Sequence, residues 1–583
     1  MDNDKLKVML VTEGTYPFHH GGVSTWSDIL INNLKDNMDF VVYSIIMNPY
    51  VTQKFNLGSK TELIKVPLWG TEEASEHLDI PFSKVYMAKK RTTDNVIERE
   101  FIPMFLDLVS ELVSENKDES KFSVTLHNLY KYFQVYEYKK SFKSEITWTA
   151  YKNFIIEFTR DKSNDLEHPG VYSIIQSLGW IYRFMTILNT PVPKVDVTHS
   201  AAAAFCGIPC VLAKMEYNTP FLLTEHGVYL REQYLSRMQR GYPSFLNTFL
   251  IRMIHSVVNL NYAFADQVSP VCGYNTRWER RFGVDKEKIQ VIYNGVDKDV
   301  FAPSLKTEKN KYPTVVSIAR VDPAKDIITL MKAAQIVKKE IPDVRFVIYG
   351  SITVPEYYEE CLKMKEEMKL GDTFIFAGHT ANVAEAYQSG DVVALSSITE
   401  AFPYSVVEAM MVGKPVISTD VGGIGEAIGD CGILVEPRHA EGFAEGLITL
   451  LKNPNLRTNL GIDARNRALN FFTKKNVRDL YFKSYLKLAM DANRIIRVEE
   501  VAVVPISALS KNRQKLFMDR GYALYEIGYY SEAIAEFRKA EQELPTSPAV
   551  PVILTIISEI YRNMGEIDKA NIELRKAEAI SGI

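Results

Sequence analysis

Two short stretches of this 583-residue chain put charged side chains where an anion and a polyol would be gripped together. In SIARVDPAKD, Arg320 follows an apolar strand pattern and Lys325 precedes a helical one, so a short loop sets two cations beside a helix amino terminus. A diphosphate suits that position, because helix-start N–H groups, guanidinium and ammonium all favour negative charge. Each charge-assisted bond contributes roughly 1.5–3 kcal/mol net, so two cations and backbone donors would anchor a nucleotide without a metal ion. In SSITEAFPYSVVEAMMVGKPVIS, Glu400 falls in the loop after a strand pattern and Glu408 inside the next helix, which Pro403 helps start and Gly413 ends. Carboxylates at this spacing on a helix diverge by roughly 80°, so they do not form one acid–base pair and are expected to touch different parts of an extended ligand. A carboxylate accepts two hydroxyl hydrogen bonds, which suits the transferred sugar at one glutamate and a ribose at the other. A third stretch, TEGTYPFHHGGVSTWSDIL, sets Gly21 and Gly22 between a strand and a helix. Either a turn at positive φ or a ligand closely approached by backbone would select them.

The elements that must position these residues alternate between strand and helix patterns in two blocks. The first has strands over Lys7–Val11, Phe40–Ile46, Val195–Thr198, Pro220–Thr224, Gln267–Pro270 and Ile289–Tyr293, with a helix over Ser24–Leu34. Between about Thr71 and Tyr182 the pattern turns helical and aromatic, as in Ile102–Val113 and Tyr130–Phe142, and is expected to be a helical insertion. The second block alternates more regularly: strands at Thr314–Ala319, Arg345–Tyr349, Thr373–Phe376, Val392–Leu395 and Val416–Thr419, and helices at Asp326–Glu340, Tyr357–Met368, Val383–Gln388 and Tyr404–Val412. Alternation of this kind predicts α/β, doubly wound parallel sheets: two Rossmann-like domains, 1–300 and 301–490. A linker is expected over 491–512 and a helical tail over 513–583. In the tail, GYYSEAIAEFRKAE and GEIDKANIELRKAE keep Gly528, Ala533 and Ala540 in register with Gly565, Ala570 and Ala577 at a shift of 37 residues. Helix-pair repeats of the tetratricopeptide kind have this order, because small residues let paired helices approach. An ordinary helical hairpin is the alternative.

Composition narrows the classes. With 46% hydrophobic and 24% charged residues the chain is globular, and its net charge of −4 offers no general basic surface for nucleic acid. Five scattered cysteines fit reduced thiols that pack in the core rather than disulfides or a metal site. The start MDNDKLKVML is charged and runs straight into a strand, unlike a secretory signal. No apolar run reaches the ~18 residues of a membrane span. A cytoplasmic protein is expected, with peripheral placement at the inner membrane face as an extension of that expectation.

ARVDPAKD, VIYNGVD and EAFPYSVVEAMMVGKPVISTDVGG together resemble the GT-B glycosyltransferases of family 4, retaining enzymes that use nucleotide sugars. TEGTYPFHHGGVSTW, TEHGVYLRE and the proline of EAFPYSVVE look like the PelF-like branch, which contains the Pel exopolysaccharide glycosyltransferase. The resemblance spans about residues 5 to 490 and excludes the tail. It implies a UDP-sugar donor, a saccharide acceptor, no cofactor and no metal. It further implies that Gly21 and Gly22 face the donor diphosphate across the interdomain cleft, that Arg320 and Lys325 stabilise the leaving diphosphate, and that Glu400 orients the donor sugar and Glu408 the ribose. His226 would lie near the reacting centre, the backbone at Phe402 and Tyr404 near sugar or phosphate, and Gly378 with His379 near the base. Pro403 stands where much of the wider family has glycine and has no N–H to donate. Asp297 and Asp299, in DKD, imitate a metal motif but sit in the domain-junction stretch and are read as structural. His19, His20 and His199 are weaker sugar-contact candidates. Membrane-bound synthase subunits or self-association through the tail are the further partners considered. The competing functions are a UDP-sugar epimerase or hydrolase on the same fold, and an inactive sugar-nucleotide-binding scaffold.

Overall fold

The computed structural model describes residues 5–69, 80–237, 241–303, 310–492, 508–545 and 547–581. Two parallel six-stranded sheets organise it. The first contains β1 Leu6–Glu13, β2 Met38–Ile46, β3 Glu62–Pro67, β4 Val197–Ser200, β5 Phe221–Glu225 and β6 Gln267–Pro270, in the order β3-β2-β1-β4-β5-β6. The second contains β7 Thr314–Ile318, β8 Arg345–Tyr349, β9 Phe374–Gly378, β10 Val392–Leu395, β11 Val416–Thr419 and β12 Gly432–Val435, in the order β12-β11-β10-β7-β8-β9. Both are doubly wound, and each changes winding direction between its first and fourth strands, where a crevice opens at the carboxyl ends. The central strands β1, β2, β10 and β11 read as near-continuous apolar runs because helices cover both sheet faces.

Three expectations change. β3 and β12 are additional edge strands: β3 mixes polar and apolar residues, and β12 is a short Gly-Ile-Leu-Val run left partly exposed at the sheet edge. Ile289–Tyr293 is not a strand: only Ile289 bridges Val268, although Gln290 N and Ile292 N still donate to β6 at 2.9 and 3.1 Å. The expected helix Tyr130–Phe142 is two, Glu119–Phe133 and Tyr138–Phe142, with Glu137 capping the second. Of the expected insertion, 71–79 lie outside the described residues. The rest is helical and shares one core with the first sheet, where Phe101, Phe105, Phe133 and Phe142 join Met9 and Val41.

The chain crosses between the lobes twice, side by side: Val296 N donates to Phe472 O at 2.9 Å and Lys474 N to Val296 O at 3.0 Å. A Cβ on Gly295 would lie 2.6 Å from Thr473 O, so this crossing closes only around a glycine. The helix after it, Lys474–Asp491, buries Tyr481, Tyr485 and Leu486 against Trp26, Leu30 and Val8. The assignment of 301–490 to the second domain is thereby corrected, because this last helix packs on the first. Of the expected linker, 493–507 lie outside the described residues, and helix begins at Ala508.

Four tail helices follow: Ala508–Glu526, Tyr530–Glu543, Val550–Asn563 and Ile567–Ser581. Gly528 and Gly565 hold equivalent turns at φ 88° and 79°, while Ala533, Ala540, Ala570 and Ala577 are buried. The first pair docks on the body. Phe517, Leu524 and Phe537 extend the core of helix Lys474–Asp491, Lys483 pairs with Glu526, and Asn37 Nδ2 donates to Asp519 at 3.2 Å.

Candidate active site

The second sheet's crevice collects the charged candidates. Arg320 lies just past β7, its guanidinium mostly in solvent and 3.4 Å from Asp322 Oδ2. The tight turn Pro323–Lys325 follows, and Asp326, at φ 46°, caps helix Ile327–Glu340 by accepting from Thr329 Oγ1 at 2.6 Å. Lys325 is thus fixed beside a helix start. Its Nζ pairs with Glu400 Oε1, and Ser397 Oγ donates to the same oxygen at 2.7 Å. The loops after β7 and β10 are laced together as well, by Ser396 Oγ to Lys325 O at 2.9 Å and Ile398 N to Ala324 O at 2.8 Å. Beneath Glu400, a Cβ on Gly422 would stand 1.8 Å from Glu400 O, and Gly423 N donates to Ala401 O at 2.7 Å. Only glycine lets that second loop rise under the carboxylate.

Glu408 lies one element further in. Its Oε2 accepts from the buried Tyr387 hydroxyl at 2.9 Å, and burial pushes its carboxyl up to about 7. Phe402 is a core side chain against Tyr293 and Phe472, and its carbonyl accepts from Asn294 Nδ2 at 3.1 Å. Gly378 ends β9, two strands from β7, at φ 75°, and His379 is exposed beside it. Neither touches the Lys325–Glu400 cluster.

The first sheet's crevice holds glycines, aromatics and neutral groups instead. Gly21 takes φ 158° and ψ 172°, a region open almost only to glycine, as N-cap of helix Gly22–Leu34. Across the cleft, helix Tyr404–Val412 starts after Pro403, and a Cβ on Gly22 would lie 3.7 Å from the Tyr404 ring. Neither helix has a side-chain cap or an acidic residue in its first turn, so two helix starts with unneutralised dipoles face one another. Trp26, one turn into the first helix, meets His226 with ring centroids 4.6 Å apart. Burial pushes the His226 imidazole down to about 3, so it is neutral at physiological pH.

Four buried polar atoms around this loop have no hydrogen-bond partner among the described residues: Thr15 Oγ1, Ser24 Oγ, His226 Nε2 and Tyr404 Oη. Thr15 and Ser24 belong to the glycine stretch, His226 touches Trp26, and Tyr404 faces Gly22. Buried polar atoms are normally satisfied, so these four stand out as donors and acceptors still open to a polar partner.

His199 is corrected as a sugar contact. It is fully buried, with Nδ1 on Tyr485 Oη at 2.7 Å and Nε2 on Thr224 Oγ1 at 2.8 Å, and both nitrogens are taken. His19 and His20 are exposed on the glycine loop. Asp297 accepts from Asp299 N at 2.9 Å and pairs with Lys474 at 2.9 Å, a junction clamp. All five cysteines are free thiols, four of them buried.

Three residues at the cleft went unnoticed in the sequence. Arg231, from helix Tyr229–Arg237 of the first lobe, donates to Thr399 Oγ1 at 3.1 Å beside Glu400. Glu426 accepts from Gly273 N at 2.7 Å and also from Tyr274 N, joining the second lobe to the first. Arg231 stands five residues past His226 in the quoted TEHGVYLRE, a signal that was available. For Glu426 and Thr399 no spacing rule connects partners so far apart in the chain.

Residues 302–467 match the family model of glycosyl transferases group 1, and residues 6–287 match that of a domain of unknown function (DUF3492). Among curated proteins, the N-acetyl-alpha-D-glucosaminyl L-malate synthase of Bacillus anthracis is 30% identical over 212 residues, covering 35% of this chain and 55% of that protein. The chain spans about half the length of the first curated relatives it matches. Among solved structures, sucrose-phosphate synthase of Thermosynechococcus elongatus aligns over 84% of this chain and all of its own, at TM-score 0.53 and 16% identity. Anabaena HepE in complex with UDP-glucose aligns over the same 84%, with all of that chain covered, at TM-score 0.50 and 15% identity. Those two likenesses establish the shared two-domain fold, the GT-B arrangement.

Proposed function

We propose that this chain, whose second lobe is similar to glycosyl transferases group 1, is a retaining, metal-independent glycosyltransferase that moves a hexose or N-acetylhexosamine from a UDP-sugar to a saccharide acceptor in exopolysaccharide assembly. The observation that carries the proposal is the approach of two uncapped helix starts, at Gly22 and Tyr404, together with the Lys325–Glu400 pair at the second sheet's strand ends. A sugar diphosphate matches it by chemistry. Its phosphoryl oxygens take the N–H groups at Gly22 and Tyr404 and the two cations, and its hydroxyls take Glu400 and the orphaned atoms. HepE binding UDP-glucose on the same fold is consistent with that donor.

The chemistry follows from charge. Cleavage of the bond between sugar and diphosphate sends the electron pair onto the leaving β-phosphate, where Arg320 and Lys325 would offset the charge, while the acceptor hydroxyl oxygen bonds the anomeric carbon and its proton passes to a phosphate oxygen. Glu400 pairs with Lys325 through one carboxylate oxygen. With a donor bound it would turn its free lone pairs to the sugar hydroxyls while Lys325 faces phosphate. Neutral His226, edge-to-face with Trp26, adds a hydrogen bond near the reacting centre without competing for the anion. Glu408 holds the ribose, and Gly378 with His379 border the base. The tail is read as tetratricopeptide-like repeats, and the cytoplasm is the proposed site of action.

A thermal-shift screen across nucleotide sugars identifies the donor, since a ligand that prefers the native state raises the melting temperature. The chosen donor with saccharide acceptors must then yield a lengthened saccharide and UDP in equal amounts. Free sugar alone, an epimerised donor, or binding without turnover would each refute transferase activity.

A further inference from the structure

We infer that the helix Phe82–Arg91 is a docking surface for anionic lipid bilayers. This helix buries none of its residues. On its outer face Phe82 and Tyr86, one turn apart, lay their rings together at 6.2 Å and 25°, in solvent rather than in the core. Ile80, Phe82, Tyr86 and Met87 are 41, 75, 53 and 43% exposed, a density of bare apolar side chains that a soluble surface rarely shows. The inner face is anchored modestly: Val85 and Ala88 are half-buried, and Glu137 N donates to Thr92 Oγ1 at 2.8 Å.

Charge names the occupant. Lys84, Lys89, Lys90 and Arg91 lie in this segment with no acid between Ile80 and Arg91; in sequence Asp79 stands before it and Asp94 after the C-cap Thr92. Lys140, on the neighbouring helix Tyr138–Phe142, reaches Lys89 O at 3.4 Å, and exposed Lys143 follows it. A chain of net charge −4 thus sets four cations on the segment that carries the aromatic pair and a fifth, Lys140, beside it. Cations flanking exposed aromatic and aliphatic side chains match an anionic interface: rings and methionine enter the acyl boundary while ammonium groups meet the headgroups. An acidic polysaccharide would satisfy the lysines but leave Ile80 and Met87 with nothing to bury them.

Co-sedimentation of the full chain with vesicles tests this. Binding is expected to phosphatidylcholine vesicles containing phosphatidylglycerol and not to phosphatidylcholine alone, weakening as salt rises. F82S/Y86S and K89E/K90E should each lower the bound fraction about tenfold, while the melting temperature stays at the wild-type value because these side chains are exposed. As a readout independent of sedimentation, tryptophan at Phe82→Trp should shift to the blue when anionic vesicles are added, beyond any change in the wild-type chain. Equal binding to neutral vesicles, no binding, indifference to both double variants, or retention by an acidic polysaccharide in place of vesicles would each overturn the proposal.

Discussion

The two sheets share one strand order, yet their crevices are furnished oppositely. The crevice of β7 and β10 carries an ion pair and a solvent-facing cation, Lys325 with Glu400 and Arg320, with the deeper Glu408 raised by burial. The crevice of β1, β4 and β5 keeps its groups neutral. His199 is held well below the usual imidazole range by burial, His226 is pushed down to about 3, and burial raises Glu13 to about 7. Behind His226, Glu225 and Glu279 are buried together, and loss of solvent raises both carboxyls while Tyr262 Oη donates to Glu225 at 2.6 Å. One lobe presents an ion pair at its strand ends, the other buried imidazoles and aromatic rings. The same topology supports both because function sits in loop residues at strand ends and not in the strand order.

The contrast can be broken from the charged side first. Glu400→Gln should lower transfer by roughly 10²-fold or more while UDP still raises the melting temperature, since the carboxylate is assigned to the sugar and not the phosphate. Loss of UDP binding in that variant would move Glu400 to the diphosphate. Arg320→Ala should weaken UDP binding about 10- to 100-fold by calorimetry, the worth of one charge-assisted contact. A normal affinity would sink the diphosphate assignment.

On the neutral side, His226→Ala should slow turnover about tenfold with UDP affinity unchanged, and the wild-type pH–rate profile should show no limb from a histidine near 6.5. A limb at that pH that vanishes in the variant would mean His226 works charged. The smallest effect concerns stability. Carboxyls raised in the folded state bind protons more tightly there than in the unfolded chain, so stability falls as pH rises from 4.5 through their folded values. The depressed histidines act oppositely, but only below 6.5. Thermal unfolding should therefore show a falling melting temperature from pH 6.5 to the alkaline side, and Glu279→Gln should flatten it. A slope unchanged in that variant would place the titration elsewhere.

The second lobe was the more legible because its strands and helices are short, regular and contiguous in sequence. Arg320, Lys325 and Glu400 fall at strand ends that periodicity alone locates. The first lobe hid more. The long insertion separates β3 from β4, the edge strands carry mixed polarity, and His199 looks like a ligand residue until Tyr485, from a helix 286 residues away, occupies its nitrogen. The return of helix Lys474–Asp491 to the first sheet has no local signal either. Its direction is set by the close Gly295–Thr473 crossing, a contact between residues far apart in the chain. Glu426 and Arg231 depend on the approach of the lobes, which no periodicity encodes.

Helix Lys474–Asp491 touches the tail with Lys483 and Asp491 and the sugar-side strand ends with Tyr481 and Tyr485. Whatever grasps the tail therefore has a mechanical handle on the floor beneath Trp26 and His226. Trimming residues 508–583 is not a neutral truncation: it strips Phe517, Leu524 and Phe537 from one side of that floor while leaving the Lys325–Glu400 pair of the other lobe in place.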